Sequence, residues 1–475
     1  RNNTTPIMKV VVLRLQSYTD LFLTAVLGRE KKFTSGSINR AIVLLAVPMV
    51  LELVMESVFV CASLFFVSKL GAAAVSIVGS TESVISFSYS VSIGLSIAAS
   101  TLIARRVGEQ NFKEASVTAG QVVNISVICG IVISLICFIW SDEILSLVGL
   151  SSEMIKQGSL YAKVMFASCG FIIIRIALNG IFRGAGYASM AMRTLWLSNI
   201  LNILLCPLLI FGWGPVPAYG LLGVGIATAL ARFIGLSYQA FHLIKGTTII
   251  QIGKQQLAIH REIFNKVLRL AFGGMLQYLI PASSWLFMIK IVSHFGGNAL
   301  AGYIIAQRVA SIATTPAWGI GNAAGILTGQ NLGAQQPDRA EKSVWRAGMI
   351  NMCFLISVAI VWIFIADPVV RIFSDVPEVV DNSTTYIHII SIAYVLLGYT
   401  MVISRALNAA GKVMIVTMLY ILMFYVIQIP LSYVFGVALG FGPKGIFAAI
   451  LISELVLAFG CITIFRTGKW KLTKV

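Results

Sequence analysis

The chain has 475 residues, of which 58% are hydrophobic and 11% charged, and its 35 Lys and Arg against 18 Asp and Glu give a formal net charge of +17. Together with a mean hydropathy of +0.91, this excludes an ordinary soluble globule, whose charged fraction is about a quarter. Nucleic-acid binding is excluded as the source of the positive charge, because no soluble basic face is visible.

In chain order, residues 1–40 form a basic N-terminal arm. Within it IMKVVVLRLQSYTDLFLTAVLG (7–28) carries basic residues inside its apolar stretch, so it reads as an interfacial helix and not as a cleavable signal peptide. Twelve apolar stretches follow, over 41–67, 77–103, 117–140, 157–181, 190–212, 221–244, 266–292, 299–327, 344–365, 384–404, 413–436 and 444–465. Each is near the roughly 20 residues that cross a bilayer as a helix, and the alternation of barrel strands is absent. The predicted fold is all-α and polytopic, with an N-terminal six-helix lobe over 41–245, a linker over 246–265, and a C-terminal six-helix lobe with a short basic tail over 266–475. Of the 35 basic residues, 26 lie on the arm, every second loop and the helix ends adjoining them, six on the other loops and outer helix ends, and three (Arg175, Arg232 and Arg308) deeper inside spans. By the positive-inside rule both termini and the linker face the cytoplasm.

The chain repeats itself. ARRVGEQNFKEA (104–115) matches GQNLGAQQPDRA (329–340) at an offset of 225, which recurs between Leu70-Gly71 and Phe295-Gly296 and between Gly184-Ala185-Gly186 and Ala409-Ala410-Gly411. Six spans per repeat is an even number, so the halves have the same orientation and are related by an axis along the membrane normal. A binding site then belongs between or within them, near the midplane. The seven cysteines all fall in predicted spans without metal-ligand spacing, the four histidines are scattered, and no GxxxxGK[ST] loop is present. No metal, cofactor, enzymatic activity or nucleotide hydrolysis is expected, and transport draws on an ion gradient or on the substrate's own.

Several fragments, in order and duplicated, carry a family likeness: the proline of the first span followed by FFVSKLGAAAVS, the ARRVGEQNFKEA loop and its second copy, NGIFRGAG with its counterpart RALNAAGK, and PLLIFG followed by GVGIATA. Over about residues 36–470 the chain resembles the multidrug and toxic compound extrusion (MATE) transporters of the flippase-exporter superfamily. The resemblance implies a V-shaped pair of lobes that opens alternately to the two sides of a bacterial plasma membrane. It implies export of amphiphilic, often cationic small molecules in exchange for protons or sodium ions, here by a monomer. Similar sequences carry aspartates where this chain has Ser63 and Cys206; the asparagines that accompany them persist as Asn179 and Asn202. Asn202 and Cys206 are one turn apart and share a face, so the four residues are expected to form an N-lobe polar pocket without a titratable member. The seventh span offers Gln277 and Tyr278, and the tenth His388, Tyr399 and Arg405, in place of the acids found in other relatives.

Four acids remain in the membrane region: Glu52, Glu56, Glu82 and Glu454. Glu52 and Glu56 lie one turn apart on the first span, on a stripe continued by Ser63. Glu52, Glu56 and Glu82 are candidates for binding the coupling ion, Glu56 foremost; the alternative for the first two is an ion pair with Arg175 or Arg232. Glu454 and Arg308 either neutralise one another or meet a charged substrate, and Phe59, Tyr89, Gln277, Tyr278 and Arg308 are candidates to line its cavity, with Trp285 and Trp318 as further aromatics. Pro48, Pro207, Pro281, Pro316 and Pro430 are hinges or static kinks. Two other readings stay open: a flippase or exporter of a lipid-linked or anionic substrate, which the arginines would accommodate, and a non-transporting membrane receptor or sensor.

The orientation is testable. A Gln255→Cys variant in intact cells is expected to resist an impermeant thiol reagent added outside and to react once the membrane is opened; labelling from outside would reverse the topology.

Overall fold

The computed structural model describes residues 19–28 and 33–473, and among them the chain is almost wholly helical. Most of the arm, including the greater part of the 7–28 stretch, lies outside the described residues. Residues 19–27 are helical, with Ala25 packed into the core and Phe22, Leu23 and Leu27 exposed. That two-sided character suits a helix lying along a bilayer surface.

Twelve long helices follow, as the apolar stretches predict: α1 (Ile38–Ser68), α2 (Ala72–Gly108), α3 (Phe112–Ile139), α4 (Ser152–Gly184), α5 (Ala188–Phe211), α6 (Leu221–Lys245), α7 (Arg261–Ser293), α8 (Gly297–Gly333), α9 (Pro337–Arg371), α10 (Pro377–Ala409), α11 (Val413–Ala438) and α12 (Gly442–Arg466). Eleven are long and apolar enough to cross a membrane. The exception, α8, has 37 residues, and its second half is buried almost throughout against α10, α1 and α2. A helix enclosed by protein does not need the lipid-facing apolar residues that raise hydropathy, and small residues there let backbones approach. α4 is interrupted at Ser168, which separates Ser152–Ala167 from Cys169–Gly184. α11 contains π-helical turns at Leu422–Gln428 and Val434–Ala438, on either side of Pro430.

The sequence offset of 225 is also a structural one. α2 and α8 each have 37 residues, and each is preceded by a glycine of positive φ, Gly71 (98°) and Gly296 (95°). Each is followed by a left-handed glutamine, Gln110 (φ 58°) and Gln335 (φ 56°). The next amides close the helix ends in the same way, Asn111 N–H to the Arg106 carbonyl at 2.9 Å and Gln336 N–H to the Asn331 carbonyl at 2.8 Å, the six-to-one bond of a Schellman turn. Asn111 then caps α3 through the Glu114 amide at 3.1 Å.

The lobes join through these repeated elements. A Cβ at Gly108 would run into the Gln330 carbonyl, and one at Gly333 into that of Arg105; both glycines and both partners correspond across the duplication. Gly94 lies against Met275 and Gly319 against Val50, again a corresponding pair. All four approaches fall in the halves of α1, α2, α7 and α8 nearest the described ends of the chain, here called the terminal side. The same side holds cross-lobe hydrogen bonds from Thr101 Oγ1 to the Asn408 carbonyl (3.2 Å) and from Gln330 Nε2 to the Gly184 carbonyl (3.1 Å). The tail beyond α12 closes over it: Trp470 stacks on Phe465, Lys471 pairs with Glu341 (2.5 Å) and Asp338 (3.2 Å), and Arg105 Nη2 donates to the Thr473 carbonyl (3.3 Å). Hydrogen bonding to Glu341 holds the Lys471 ammonium above the ordinary lysine range. The linker is tied to α3, with Gln121 Nε2 donating to the Ala258 carbonyl at 2.8 Å and Asn124 Nδ2 to that of Leu257 at 2.8 Å.

A large side chain at Gly333 should force the terminal side apart, since overpacking a close contact costs about 1–3 kcal/mol. In a cysteine-free background, an Ala104→Cys/Gly329→Cys pair, whose sites touch across the lobes, is expected to cross-link readily. Adding Gly333→Leu should suppress that cross-link; unchanged cross-linking would show that the contact does not hold the lobes together.

Candidate functional site between the lobes

A cavity of about 750 Å³ lies between the lobes, with walls drawn from both. Most of its lining is apolar: Met49 and Leu53 of α1, Ile93 and Ile97 of α2, Pro281 of α7 and Phe424 of α11 among others. Into this surface project a few polar groups, chiefly Arg183 of α4, Gln277 and Tyr278 of α7, Asn322 of α8, Arg405 and Asn408 of α10, and Glu454 of α12. An apolar chamber with sparse polar groups suits a small organic ligand.

Behind the N-lobe wall is a buried network. Glu52, 5% exposed, accepts from Arg183 Nη2 at 2.5 Å and from Asn179 Nδ2 at 3.2 Å through the same oxygen, Oε1. Gln239 Nε2 of α6 donates to Asn179 Oδ1 at 2.5 Å. Asn179 and Arg183 are one turn apart on α4 and so present one face to Glu52. This corrects the expected ion pair: Glu52 is held by Arg183, and among the described residues neither Arg175 nor Arg232 lies within ion-pair distance of an acid. Arg183 sits two turns nearer the terminal end of α4 than Arg175, and its side chain reaches the carboxylate.

The duplication places Gln277 where the N lobe has Glu52, and Asn408 where it has Arg183. The C lobe keeps the contact and changes its chemistry. Gln277 Nε2 donates to Asn408 Oδ1 at 3.0 Å while Asn408 Nδ2 donates back to Gln277 Oε1 at 2.9 Å, and the Val413 carbonyl accepts from Gln277 at 3.1 Å. One lobe therefore holds an acid–base pair and the other a neutral amide pair in corresponding places.

Deeper in the N lobe, Arg232 donates to Ser168 Oγ at 3.2 Å, at the interruption of α4. Arg232 and Glu56 are the charged groups that act on Glu82, and Tyr89 feels Arg232, Glu56, Glu82 and Arg175. The residues expected to make a single polar pocket hydrogen-bond separately: Cys206 Sγ donates to Asn202 Oδ1 at 3.3 Å and Asn202 Nδ2 to Thr228 Oγ1 at 3.0 Å, whereas Asn179 turns to Glu52 and Gln239. Ser63, half-buried, hydrogen-bonds to neither group. Cys206 itself is fully buried.

Of the expected cavity residues, Gln277 and Tyr278 line the chamber, as does Trp318; Phe59, Tyr89 and Arg308 are outside its lining. Arg308 is exposed and makes no ion pair with Glu454, so the expected mutual neutralisation is not found among the described residues. Arg183 is the cavity residue that the sequence reading leaves unnamed, and Arg405, named there as a polar group of the tenth span, is not among its cavity candidates. Each lies one or two residues beyond the predicted span, 157–181 or 384–404, and was counted with the basic loops. Their place inside the repeated NGIFRGAG and RALNAAGK motifs was the available signal. Arg405 lies over the Trp318 ring at 5.1 Å.

Comparison with known proteins bears on this geometry. The MatE family model matches twice, at residues 48–208 and 274–434. The chain is 27% identical over 409 residues to a probable multidrug resistance protein, YoeA, of Bacillus subtilis, covering 85% of this chain and 88% of that one. It is 25% identical over 431 residues to an FAD transporter of Shewanella oneidensis, covering 90% and 94%. In fold it is similar to a solved multidrug resistance MATE transporter in an outward-facing conformation, with a TM-score of 0.86, 24% identity and coverage of 93% and 98%. With one copy of the family pattern in each lobe and the cavity between them, the chain belongs to the MATE family of multi-pass membrane transporters and is not an enzyme.

Proposed function

We propose that this protein exports amphiphilic small molecules across a bacterial plasma membrane by alternating access, driven by a proton or sodium gradient. The observation that carries the reading is the cavity between two duplicated lobes whose close approaches all lie on the terminal side. Parting those contacts and closing the far halves would expose the same chamber to the opposite face. The multidrug resistance name of the Bacillus relative supports the substrate class.

For coupling, the three glutamates take different parts in this reading. Glu52 is committed to Arg183 and acts as a structural anchor between α1 and α4. Glu56 and Glu82 make no ion pair among the described residues and so stay available to an incoming cation. They are the coupling groups in this reading, in the lobe where relatives carry the acids replaced here by Ser63 and Cys206.

Reconstituted vesicles test the function. Efflux of a fluorescent amphiphile is expected to accelerate under an imposed proton or sodium gradient; efflux indifferent to both would remove antiport, and binding without any flux would favour a receptor.

The glutamates are then distinguishable. Glu52→Gln is expected to cost about 3–5 kcal/mol by stranding Arg183, seen as a lowered Tm that Arg183→Gln partly restores. Glu56→Gln and Glu82→Gln should keep the wild-type Tm and substrate binding yet lose gradient-driven flux. A stable Glu52→Gln protein, or full coupling in both other variants, contradicts the assignment.

A further inference from the structure

We propose that Arg405, with Arg183 facing it across the lobe boundary, forms an anion subsite in the interlobe cavity that receives the acidic group of an amphiphilic organic anion. The proposal rests on the export reading and names the charge of the substrate.

Arg405 lacks the partners that a buried guanidinium ordinarily has. Its guanidinium borders the cavity, its Nε is buried without a hydrogen-bond partner, and among the described residues no carboxylate lies within ion-pair distance. The ionisable groups that act on it are Tyr420 and Arg183, one a neutral phenol and the other a second cation. Glu454 lines the same chamber but, among the described residues, makes no ion pair with Arg405. An arginine inside a membrane protein is costly unless paired, and its neighbours normally supply the pairing. Here they supply an aromatic face instead: Trp318 covers one side of the guanidinium at 5.1 Å. A guanidinium held over an aromatic ring keeps its terminal N–H donors for a planar or tetrahedral acid group.

Arg183 adds to the field. Its Nη2 is taken by Glu52, but its Nε is buried without a partner. Asn322, one turn from Trp318 on α8, borders the cavity and offers an amide donor. The apolar walls at Leu53, Ile93 and Phe424 suit the body of the same molecule. A carboxylate, sulfonate or phosphate meets this chemistry whether it belongs to a soluble amphiphile or to a lipid headgroup.

The test uses the full-length protein in phosphatidylcholine nanodiscs, with dansylate (5-dimethylaminonaphthalene-1-sulfonate) as the anionic probe and ethidium as the cationic one, both read by fluorescence. Wild-type protein is expected to bind dansylate. Arg405→Gln should weaken dansylate by about tenfold, the scale of one lost charged hydrogen-bonding group, and strengthen ethidium. Opposite shifts for the two dyes cannot come from misfolding. Arg405→Lys should recover part of the anion affinity, since it keeps the charge and loses the fork. Equal dansylate affinity in wild type and Arg405→Gln, or wild type that binds ethidium alone, overturns the subsite.

Repeating the titration in discs containing phosphatidylglycerol separates the sources. Unchanged dansylate binding assigns the site to a soluble amphiphile, and competition that disappears in Arg405→Gln assigns it to a lipid headgroup; both retain the subsite. In vesicles, gradient-driven flux of ethidium with no binding or flux of dansylate removes the subsite and leaves export standing. Dansylate binding with flux of neither dye leaves the subsite and removes export.

Discussion

The structure depends on two helices touching backbone to backbone. At the crossing of α2 and α8, Gly108 meets the Gln330 carbonyl and Gly333 meets that of Arg105, so no side chain separates the lobes. In a bilayer little hydrophobic force drives helices together, because lipid tails are as apolar as leucine, and close packing of small residues takes its place. Because both halves supply the same motif, the contact is close to self-complementary, as the two sides of a symmetric dimer interface are. The cavity, the closed terminal side and the cross-lobe hydrogen bonds all follow from that crossing.

Against so regular a frame, differences between the halves carry information. Packing alone would be served by any pair of matched polar residues at Glu52/Arg183 and at Gln277/Asn408, yet one lobe holds charges and the other amides. The neutral pair is satisfied by reciprocal bonds and by the Val413 carbonyl, a closed arrangement. The charged pair leaves Glu52 Oε2 and Arg183 Nε buried without partners, an open one. Chemical asymmetry within geometric symmetry makes the Glu52/Arg183 position more responsive to charge than its counterpart at Gln277/Asn408.

The architecture was legible because hydropathy and duplication are properties of whole segments. Long apolar stretches dictate helices wherever backbone groups cannot reach water, and an even number of spans per repeat dictates parallel halves. Even α8, which lacks the apolarity of its neighbours, was recoverable from its match to α2. The site was less legible because it depends on rotation and reach. Glu52 and Glu56 are one turn apart, yet Glu52 meets Arg183 and Glu56 makes no ion pair among the described residues; sequence spacing placed both on one stripe and did not say which helix each one faces. Arg183 escaped because the span boundary drawn from hydropathy falls two residues before it, while the helix and the cavity continue past it; Arg405 was named with the tenth span, but nothing in its spacing said that it faces the cavity. The four-residue pocket was inferred from a family pattern whose acids are absent, and without them the asparagines follow other partners.

The π-helical turns of α11 bear on how its face of the cavity can change shape. A π turn holds one residue more than the α turn it replaces. If that surplus shifts along the helix, each residue it passes rotates by roughly 100° while the helix ends stay in place. Tyr420 and Phe424, which line the chamber, lie just before and within the first such turn, and Pro430 between the two π segments already lacks the amide that would resist the shift. Migration of a π turn would let α11 exchange the side chains it shows to a bound molecule without swinging as a rod.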